Sequence, residues 1–359
     1  MFSAFPQVLV AYGWSEDLEH AFAPHREAGL VPGRVAVVDR GRCDVITEDG
    51  VLRADTAPVV TDDPSSMPCT GDWAAVRTGE HPAVMALLPR RTAIVRASVG
   101  RDSHGQVLAA NVDTVAITVS LEVEVDLGRL ERLLALAWES GARPVVVLTK
   151  ADHLADPAEL DAVVADVAAA APGADVVTVR PLTGEGVDVV AAVLSGTIVL
   201  VGQSGAGKST LGNALLGEDR LATGAVRAGD GKGRHTTVRR ELLPLPSGGV
   251  LIDTPGLRGV GLFDAEEGLQ QTFSDIEELA AGCRFGDCAH DTEPDCAVQA
   301  AITDGTLPER RLRSYRKLLK ENEWIAARSD ARLRAEQTNR WKVIHKAQRQ
   351  AYKLRGRDR

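Results

Sequence analysis

The sequence predicts a multidomain α/β protein in which a small β-barrel precedes a mostly parallel sheet and a helical segment closes the chain. Three observations carry that reading. The chain has 359 residues, more than a single domain of about 100–200 residues accommodates. Its middle alternates near-continuous apolar runs with amphipathic stretches, the pattern of strands buried on both faces and of the helices that cover them. Its charge is segregated along the chain. Residues 1–98 carry nine Lys/Arg against thirteen Asp/Glu, residues 99–305 fifteen against thirty-one, and residues 306–359 seventeen against six.

Composition removes several classes. Apolar residues make up 44% and charged residues 25%, a globular balance that excludes a disordered chain, a collagen-like repeat and a disulfide scaffold. No run approaches ~18 uncharged apolar residues, so no membrane partner is expected. The start MFSAFPQVLVAYGWSEDLEH lacks a basic region and soon turns acidic, which is not the pattern of a secretory signal. A cytoplasmic location follows as the expectation. The net charge of −9, taken whole, argues against a nucleic-acid partner, because phosphate backbones reward basic surfaces. The segment values reverse that argument: the last segment alone carries a net +11.

The elements follow in order. Residues 14–30 read as one short helix with Ser15 as its cap. RVAVVDR, CDVITEDGVLRAD, DWAAVR and AVMALLPRRTAIVR, within residues 34–97, are β-branched or alternating runs separated by turn residues. About five strands in this length suit a closed five-stranded barrel of the OB type, a fold that often binds nucleic acid. The first domain is drawn at residues 1–98. DTVAITVS, PVVVLTK, ADVVTV, GTIVLVG and GVLIDTP then read as buried strands, with LGRLERLLALAWESG and AELDAVVADVAAAA as helices between them. This second domain is drawn at 99–275. The third, 276–359, holds a Cys/His cluster followed by charged helical sequence.

Three motifs stand at strand ends in the second domain. Gly202, Gln203, Ser204, Gly205, Ala206, Gly207, Lys208 and Ser209 match G-x-x-x-x-G-K-[ST] between the strand TIVLV and the helix STLGNALLG, with Thr210 next on that helix. Glycines let backbone N–H groups curl around phosphates, and the helix N-terminus adds partial positive charge. Lys208 is placed to reach the β- and γ-phosphates and Ser209 to ligate Mg²⁺. Asp253-Thr254-Pro255-Gly256 follows the strand VLI. Asp253 is placed to hold the same Mg²⁺, and the Gly256 N–H to meet the γ-phosphate. Thr149, Lys150, Ala151 and Asp152 form T-K-x-D at the end of PVVVL. The Asp152 carboxylate accepts from N1–H and N2–H₂ of guanine, a donor pair that adenine lacks.

The order of these motifs is itself informative. Ordinary GTPases carry the P-loop first, then D-x-x-G, then the guanine motif. Here the guanine motif leads, so the domain is circularly permuted and D-T-P-G runs toward the third domain. Between P-loop and D-T-P-G lies Gly231-Lys232-Gly233-Arg234-His235-Thr236-Thr237. Either Thr236 or Thr237 is the expected Mg²⁺- and γ-phosphate-sensing switch residue. Leu257 follows D-T-P-G where many GTPases carry a water-orienting Gln, which leaves His235 as the candidate to position the attacking water.

Cys283, Cys288, His290 and Cys296 fall within fourteen residues. That Cys₃His set is the soft tetrahedral complement of one structural Zn²⁺, with no open position for catalysis. Cys43 and Cys69 stand alone as packing residues. Arg310, Arg311, Arg313, Arg316, Lys317 and Lys320 crowd one stretch, and Arg340, Lys342, Lys346, Arg349, Lys353, Arg355, Arg357 and Arg359 another. Trp324, Trp341 and Tyr352 are interleaved with them, so the tail reads as an RNA-facing element.

TKAD, GQSGAGKST, GKGRHTT, DTPGL and CRFGDCAHDTEPDCAV, in this order, resemble the circularly permuted, ribosome small subunit-dependent GTPases of the RsgA (YjeQ) family. TGDW at 70–73 and LPRRTAIVR at 88–96 look like that family's N-terminal barrel. The resemblance spans residues ~34–325. It implies an OB-fold, a permuted GTPase domain and a zinc domain. It further implies binding to the small ribosomal subunit and its rRNA late in assembly, ribosome-stimulated hydrolysis of GTP to GDP and phosphate, and a monomer. It also assigns catalysis to the His of G-R-H-T-T, here His235. One departure is the loop after VVTV at 176–179, where a Ser-Ala-type turn contacts guanine in the family. Here it reads Arg180-Pro181-Leu182-Thr183, and Pro181 offers no N–H, which loosens the pocket on that side. Two other readings compete: an RNA-binding scaffold with a vestigial nucleotide site, and a P-loop ATPase or kinase. Intact Lys208, Ser209 and Asp253 argue against the first, and Asp152 discriminates the second.

Overall fold

The computed structural model describes residues 6–97, 105–154, 156–223, 240–253 and 265–329. The expected switch residues His235, Thr236 and Thr237, with Gly256 and the second basic cluster, lie outside the described residues.

Strands β1 (Val31–Asp39), β2 (Arg42–Thr47), β3 (Gly50–Asp55), β4 (Trp73–Arg77) and β5 (Ala83–Leu87) close a barrel in the order β1-β2-β3-β5-β4. β1 runs antiparallel to β2 and β4, and β3 meets β5 in a short parallel contact at Asp55 and Ala83. Alternating residues fill the interior, where Val35, Val45, Val76 and Val84 are fully buried. Ahead of the barrel stand α1 (Gln7–Val10) and α2 (Glu16–Glu27), the latter capped by Ser15, whose hydroxyl accepts from the Leu18 N–H. Phe22 and Trp73 both meet the Trp14 ring edge-on, at 5.8 and 5.0 Å.

The run at 83–96 does not stay in the barrel. Pro89 cannot donate to a ladder, and the chain leaves after β5. β6 (Ala93–Ala97) pairs instead with β7 (Gly105–Ala110) in a two-stranded antiparallel ribbon. The segment T-G-D-W packs beneath this exit. Gly71 has φ +95°, and a Cβ there would lie 2.2 Å from the Ala110 carbonyl oxygen, so only glycine fits. The fully buried Asp72 accepts from Arg90 at 2.7 and 2.8 Å and from the Cys69 N–H at 2.7 Å.

Barrel and sheet share one buried guanidinium. Arg34 donates to the carbonyls of Gly71, Asn111 and Tyr12 and to Thr197 Oγ1, and lies 4.8 Å from the Trp73 ring centroid. Burial lowers its pKa to about 10, still far above neutrality, so it remains a cation. Arg34→Ala would orphan four acceptors. It is expected to destabilise the chain by about 3 kcal/mol or more, read as a lowered midpoint in urea.

The second sheet holds β8 (Thr114–Ser120), β9 (Arg143–Thr149), β10 (Asp175–Val179), β11 (Thr197–Gly202), β12 (Glu241–Pro244) and β13 (Val250–Asp253). Their order is β10-β9-β8-β11-β13-β12, parallel throughout except for β12 at the edge. Helices α3 (Leu127–Glu139), α4 (Pro157–Ala170), α5 (Val187–Val193) and α6 (Lys208–Leu216) connect them. The apolar run Val145–Leu148 feeds two cores alternately. Val146 and Leu148 pack with Leu130 and Leu134 of α3, whereas Val145 and Val147 pack with Val190, Leu211 and Leu215 of α5 and α6.

The last of the described helices, Glu309–Ser329, docks on α3 and on the short helices Glu266–Thr272 and Ser274–Ala280. This changes the reading of the first basic run. Arg311 is only 2% exposed, pairs with Asp275 at 2.6 Å and with Glu131 of α3 at 2.9 Å, and lies over the Phe273 ring. Arg310 also pairs with Glu131, and Arg316 donates to the carbonyls of Ala289 and His290. Arg313, Lys317 and Lys320 remain exposed. Among the described residues no helix is long and apolar enough to cross a membrane.

Candidate functional site

Parallel pairing brings T-K-x-D, the P-loop and Asp253 to the carboxyl edge of the sheet. Thr149 ends β9 opposite Ser120 of β8, Gly202 ends β11 opposite Thr118 of β8, and Asp253 ends β13 beside β11. All lie at the carboxyl ends of adjoining strands, where open α/β sheets bind ligands.

The P-loop is a chain of left-handed and tight positions. Gly202, Gly205 and Gly207 have φ of +145°, +83° and +79°, and Gly207 caps α6. A Cβ on Gly202 would stand 2.4 Å from the Thr118 carbonyl oxygen and from its Oγ1. Thr118 is buried and donates to the Val201 carbonyl at 2.9 Å. One strand further out, Thr149 Oγ1 of β9 donates to the Ala206 carbonyl at 2.9 Å. Two buried threonines, Thr118 of β8 and Thr149 of β9, the next strand beyond it, therefore brace the two ends of the loop. Thr118 escaped the sequence reading because it sits in an unremarkable β-branched run.

Lys208 donates from Nζ to the Gly202 and Gln203 carbonyls at 2.9 and 2.6 Å. Gln203, Ser204 and Gly205 are exposed, and Ser209 and Thr210 are half-buried at the first turn of α6. Asp253 is half-buried. A hydroxyl and a carboxylate form a hard oxygen pair of the kind Mg²⁺ takes.

In T-K-x-D, Lys150 adopts φ +57°, Ala151 is buried, and Asp152 is exposed on a 3₁₀ turn. The left-handed Lys150 turns the chain sharply after β9, and its ammonium pairs with Glu122. That pairing holds the Glu122 carboxyl below the usual range. Glu122 is a second residue that sequence reasoning passed over, hidden in the acidic stretch LEVEVD. The departing loop closes on itself. The Arg180 N–H donates to the Glu185 carbonyl, and the Thr183 and Gly184 N–H groups donate to the Arg180 carbonyl. Leu182 stands 89% exposed at its tip.

The Cys/His cluster is assembled. Ligand atoms of Cys283, Cys288, His290 and Cys296 all lie within 4.8 Å of one another. Sulfur about 2.3 Å and nitrogen about 2.0 Å from a tetrahedral ion stand about 3.8 Å (S···S) and about 3.5 Å (S···N) apart. The measured separations are 3.8 Å for Cys283–Cys296, 3.6 Å for Cys283–His290 and 3.5 Å for Cys296–His290. The residues present thus fit a tetrahedral metal. Burial, followed by the nearby Arg316 guanidinium, lowers the His290 pKa, which favours the neutral imidazole that a ligand must be. The Glu293 carboxylate accepts from the N–H groups of Ala289, Asp291 and Thr292 and fixes the loop. Cys43 and Cys69 are buried elsewhere, and burial pushes each thiol up to about 12, as suits inert packing residues.

Comparison with known proteins agrees with this geometry. The family model "RsgA GTPase" matches residues 87–263. The "Small ribosomal subunit biogenesis GTPase RsgA" of Streptomyces avermitilis is 62% identical over 343 residues, covering 95% of this chain and 93% of that protein. Its namesake in Opitutus terrae is 41% identical over 366 residues, covering 97% and 99%. Among solved structures, YjeQ from Thermotoga maritima superimposes with a TM-score of 0.59 at 25% identity, covering 82% of this chain and 98% of that one. YloQ, described as a circularly permuted GTPase, gives a TM-score of 0.60 at 23% identity over 82% and 95%. A barrel, a permuted sheet with three nucleotide motifs and a tetrahedral Cys₃His cluster on one chain, with identity of this extent, place the protein in the RsgA GTPase family.

Proposed function

We propose that this chain is a GTP-hydrolysing assembly factor that binds the small ribosomal subunit and its rRNA late in maturation and leaves after hydrolysis. The observation that carries the reading is the gathering of T-K-x-D, the P-loop and Asp253 at the carboxyl ends of β9, β11 and β13 in one sheet. The names borne by relatives at 62% and 41% identity support the ribosomal partner. A vestigial site would have no reason to keep Lys208, Ser209 and Asp253 together, and a kinase of unrelated substrate would not need Asp152. The divisions at 98/99 and 275/276 are proposed as the domain boundaries, and a cytoplasmic monomer as the working form.

Each residue has a proposed task. P-loop N–H groups from Gly202 to Ser209, with Thr210 behind them, cradle the phosphates, and Lys208 neutralises charge that builds on the β–γ bridge. Ser209 and Asp253, with Thr236 or Thr237, would hold Mg²⁺, which would supply charge neutralisation for phosphoryl transfer. Asp152 reads guanine, with Thr149, Lys150 and Ala151 shaping its seat, and Gly256 offers its N–H to the γ-phosphate. His235 orients the attacking water in place of a glutamine, the side chain at Leu257 being aliphatic. Zn²⁺ is the proposed ion of the Cys₃His cluster.

Two measurements test this. GTP turnover by the full chain is expected to rise on adding purified small subunits. An unchanged rate, together with no binding of the GTP-analogue form to subunits, overturns the ribosomal role. Asp152→Asn is expected to weaken GTP by about 100-fold or more and to favour xanthosine triphosphate, whose C2 oxygen accepts where guanine donates. Equal loss for both nucleotides would remove Asp152 from base recognition.

A further inference from the structure

A groove of about 390 Å³ runs along the outer side of β10. β10 pairs with β9 on one side and with no strand on the other among the described residues. Outside that pairing, Val176, Val177, Thr178 and Val179 make no backbone hydrogen bond among the described residues. Leu160 of α4 walls the groove on one face of the sheet, and Val189 of α5 walls it on the other. Val189 is 51% exposed. An open strand edge between apolar walls is a template for a further strand. Of the nucleotide motifs, only Ala151 lines this groove.

Charge decides what kind of chain fits. Residues 151–195 carry eight Asp/Glu and a single Lys/Arg, Arg180. Arg180 is paired with Glu185 at one end of β10, and Asp175 is paired with Arg143 at the other. Glu159 and Asp161, on either side of Leu160, and Asp188, next to Val189, are exposed and in no ion pair among the described residues. Such a rim repels a phosphate backbone and attracts Lys and Arg. Side chains of an added strand would point alternately toward the Leu160 wall and the Val189 wall. Both walls are apolar, so the centre of that strand is aliphatic throughout and its cations flank the run. We propose that the free edge of β10 docks an extended segment of a basic protein partner, a short aliphatic run flanked by Lys or Arg, as an added strand. This protein contact on the acidic body goes beyond the rRNA contact proposed above and does not depend on it.

The probe is a labelled synthetic peptide, KKVTVVKK. Its anisotropy titration with the full-length protein at physiological ionic strength is expected to saturate at one peptide per chain. KKVPVPKK keeps the charge but loses ladder donors, and is expected to bind about tenfold more weakly or worse. Val189→Lys puts a cation on the exposed wall. It is expected to weaken KKVTVVKK by about tenfold or more with an unchanged melting temperature. Val51→Lys makes the same charge change at a 65% exposed site on the barrel, and is expected to leave affinity unchanged. Equal affinity for the two peptides, or equal affinity in Val189→Lys and wild type, overturns the site. So does a uridine octanucleotide that displaces the peptide, which would give the groove to RNA. A wild-type dimer in sedimentation that Val189→Lys dissolves would give it to a second copy of this chain and overturns the proposal too. The readout involves neither GTP nor ribosomal subunits, so its failure leaves the GTPase reading untouched.

Discussion

Lys208→Ala is expected to lower single-turnover GTP hydrolysis by a factor of about 10²–10³, or about 3–4 kcal/mol in the barrier, the typical cost of removing one preorganised donor aimed at developing charge. The geometry explains why binding falls less than turnover. Lys208 stands at the N-terminus of α6, where it already contacts the Gly202 and Gln203 carbonyls. The loop itself is shaped by glycine conformations and by the Thr118 and Thr149 braces. Those supports do not depend on the lysine, so the backbone N–H cradle survives the substitution. The ammonium matters most when negative charge gathers on the bridging oxygen. Single-turnover kinetics on saturating GTP check this, paired with nucleotide affinity. A variant that hydrolyses at the wild-type rate once saturated would show that Lys208 serves ground-state binding alone.

Much of this site was legible because its parts are local in sequence. A P-loop needs a buried strand, tight glycines and a helix start in fifteen consecutive residues, and GTIVLVGQSGAGKST spells them out. The Cys₃His cluster is equally local, and its ligands converge. What the sequence hid are features that depend on distant partners. Glu131 sits in LGRLERLL, where a helix pattern puts its charge in water, yet the fold buries it against Arg311, 180 positions away. Arg311 likewise counts as one tail cation among many until its partners are seen. The exit of β6 from the barrel is a third case. AVMALLPRRTAIVR reads as continuous strand, and only Pro89 marks the place where pairing changes sheets. β12 was missed because ELLP is four residues long and pairs antiparallel at the edge of a parallel sheet, outside the rhythm of the other strands.

The docking of Arg311 and Arg316 also bears on how the metal loop matters. Arg316 ties the carbonyls of Ala289 and His290 to the C-terminal helix, so the helix and the proposed zinc loop position one another. Cys283→Ser is expected to drop bound zinc from one ion per chain to well below that, measured by elemental mass spectrometry on dialysed protein. Four ligands close a structural site, and losing one removes most of a binding free energy that reaches about 10–16 kcal/mol in zinc-finger peptides. The consequences should be regional. Residues 283–296 lack regular secondary structure until the helix Ala297–Thr303, and a metal held there would supply the cross-links that a larger core supplies elsewhere. Hydrogen exchange is therefore expected to rise across 283–303 and along the face of Glu309–Ser329 that carries Arg316. It should change least in β8, β9 and β11, because the core on their α5 and α6 face, with Ala116, Val145, Val147 and Ile198, holds no residue of the cluster, whereas Cys296 packs in the core on the opposite face. GTP affinity should hold for the same reason, while affinity for the small subunit falls. Cys43→Ser and Cys69→Ser leave zinc content unchanged if the four ligands are the right ones. Loss of zinc from either, or full zinc retention in Cys283→Ser, would assign the metal to a different set of thiols.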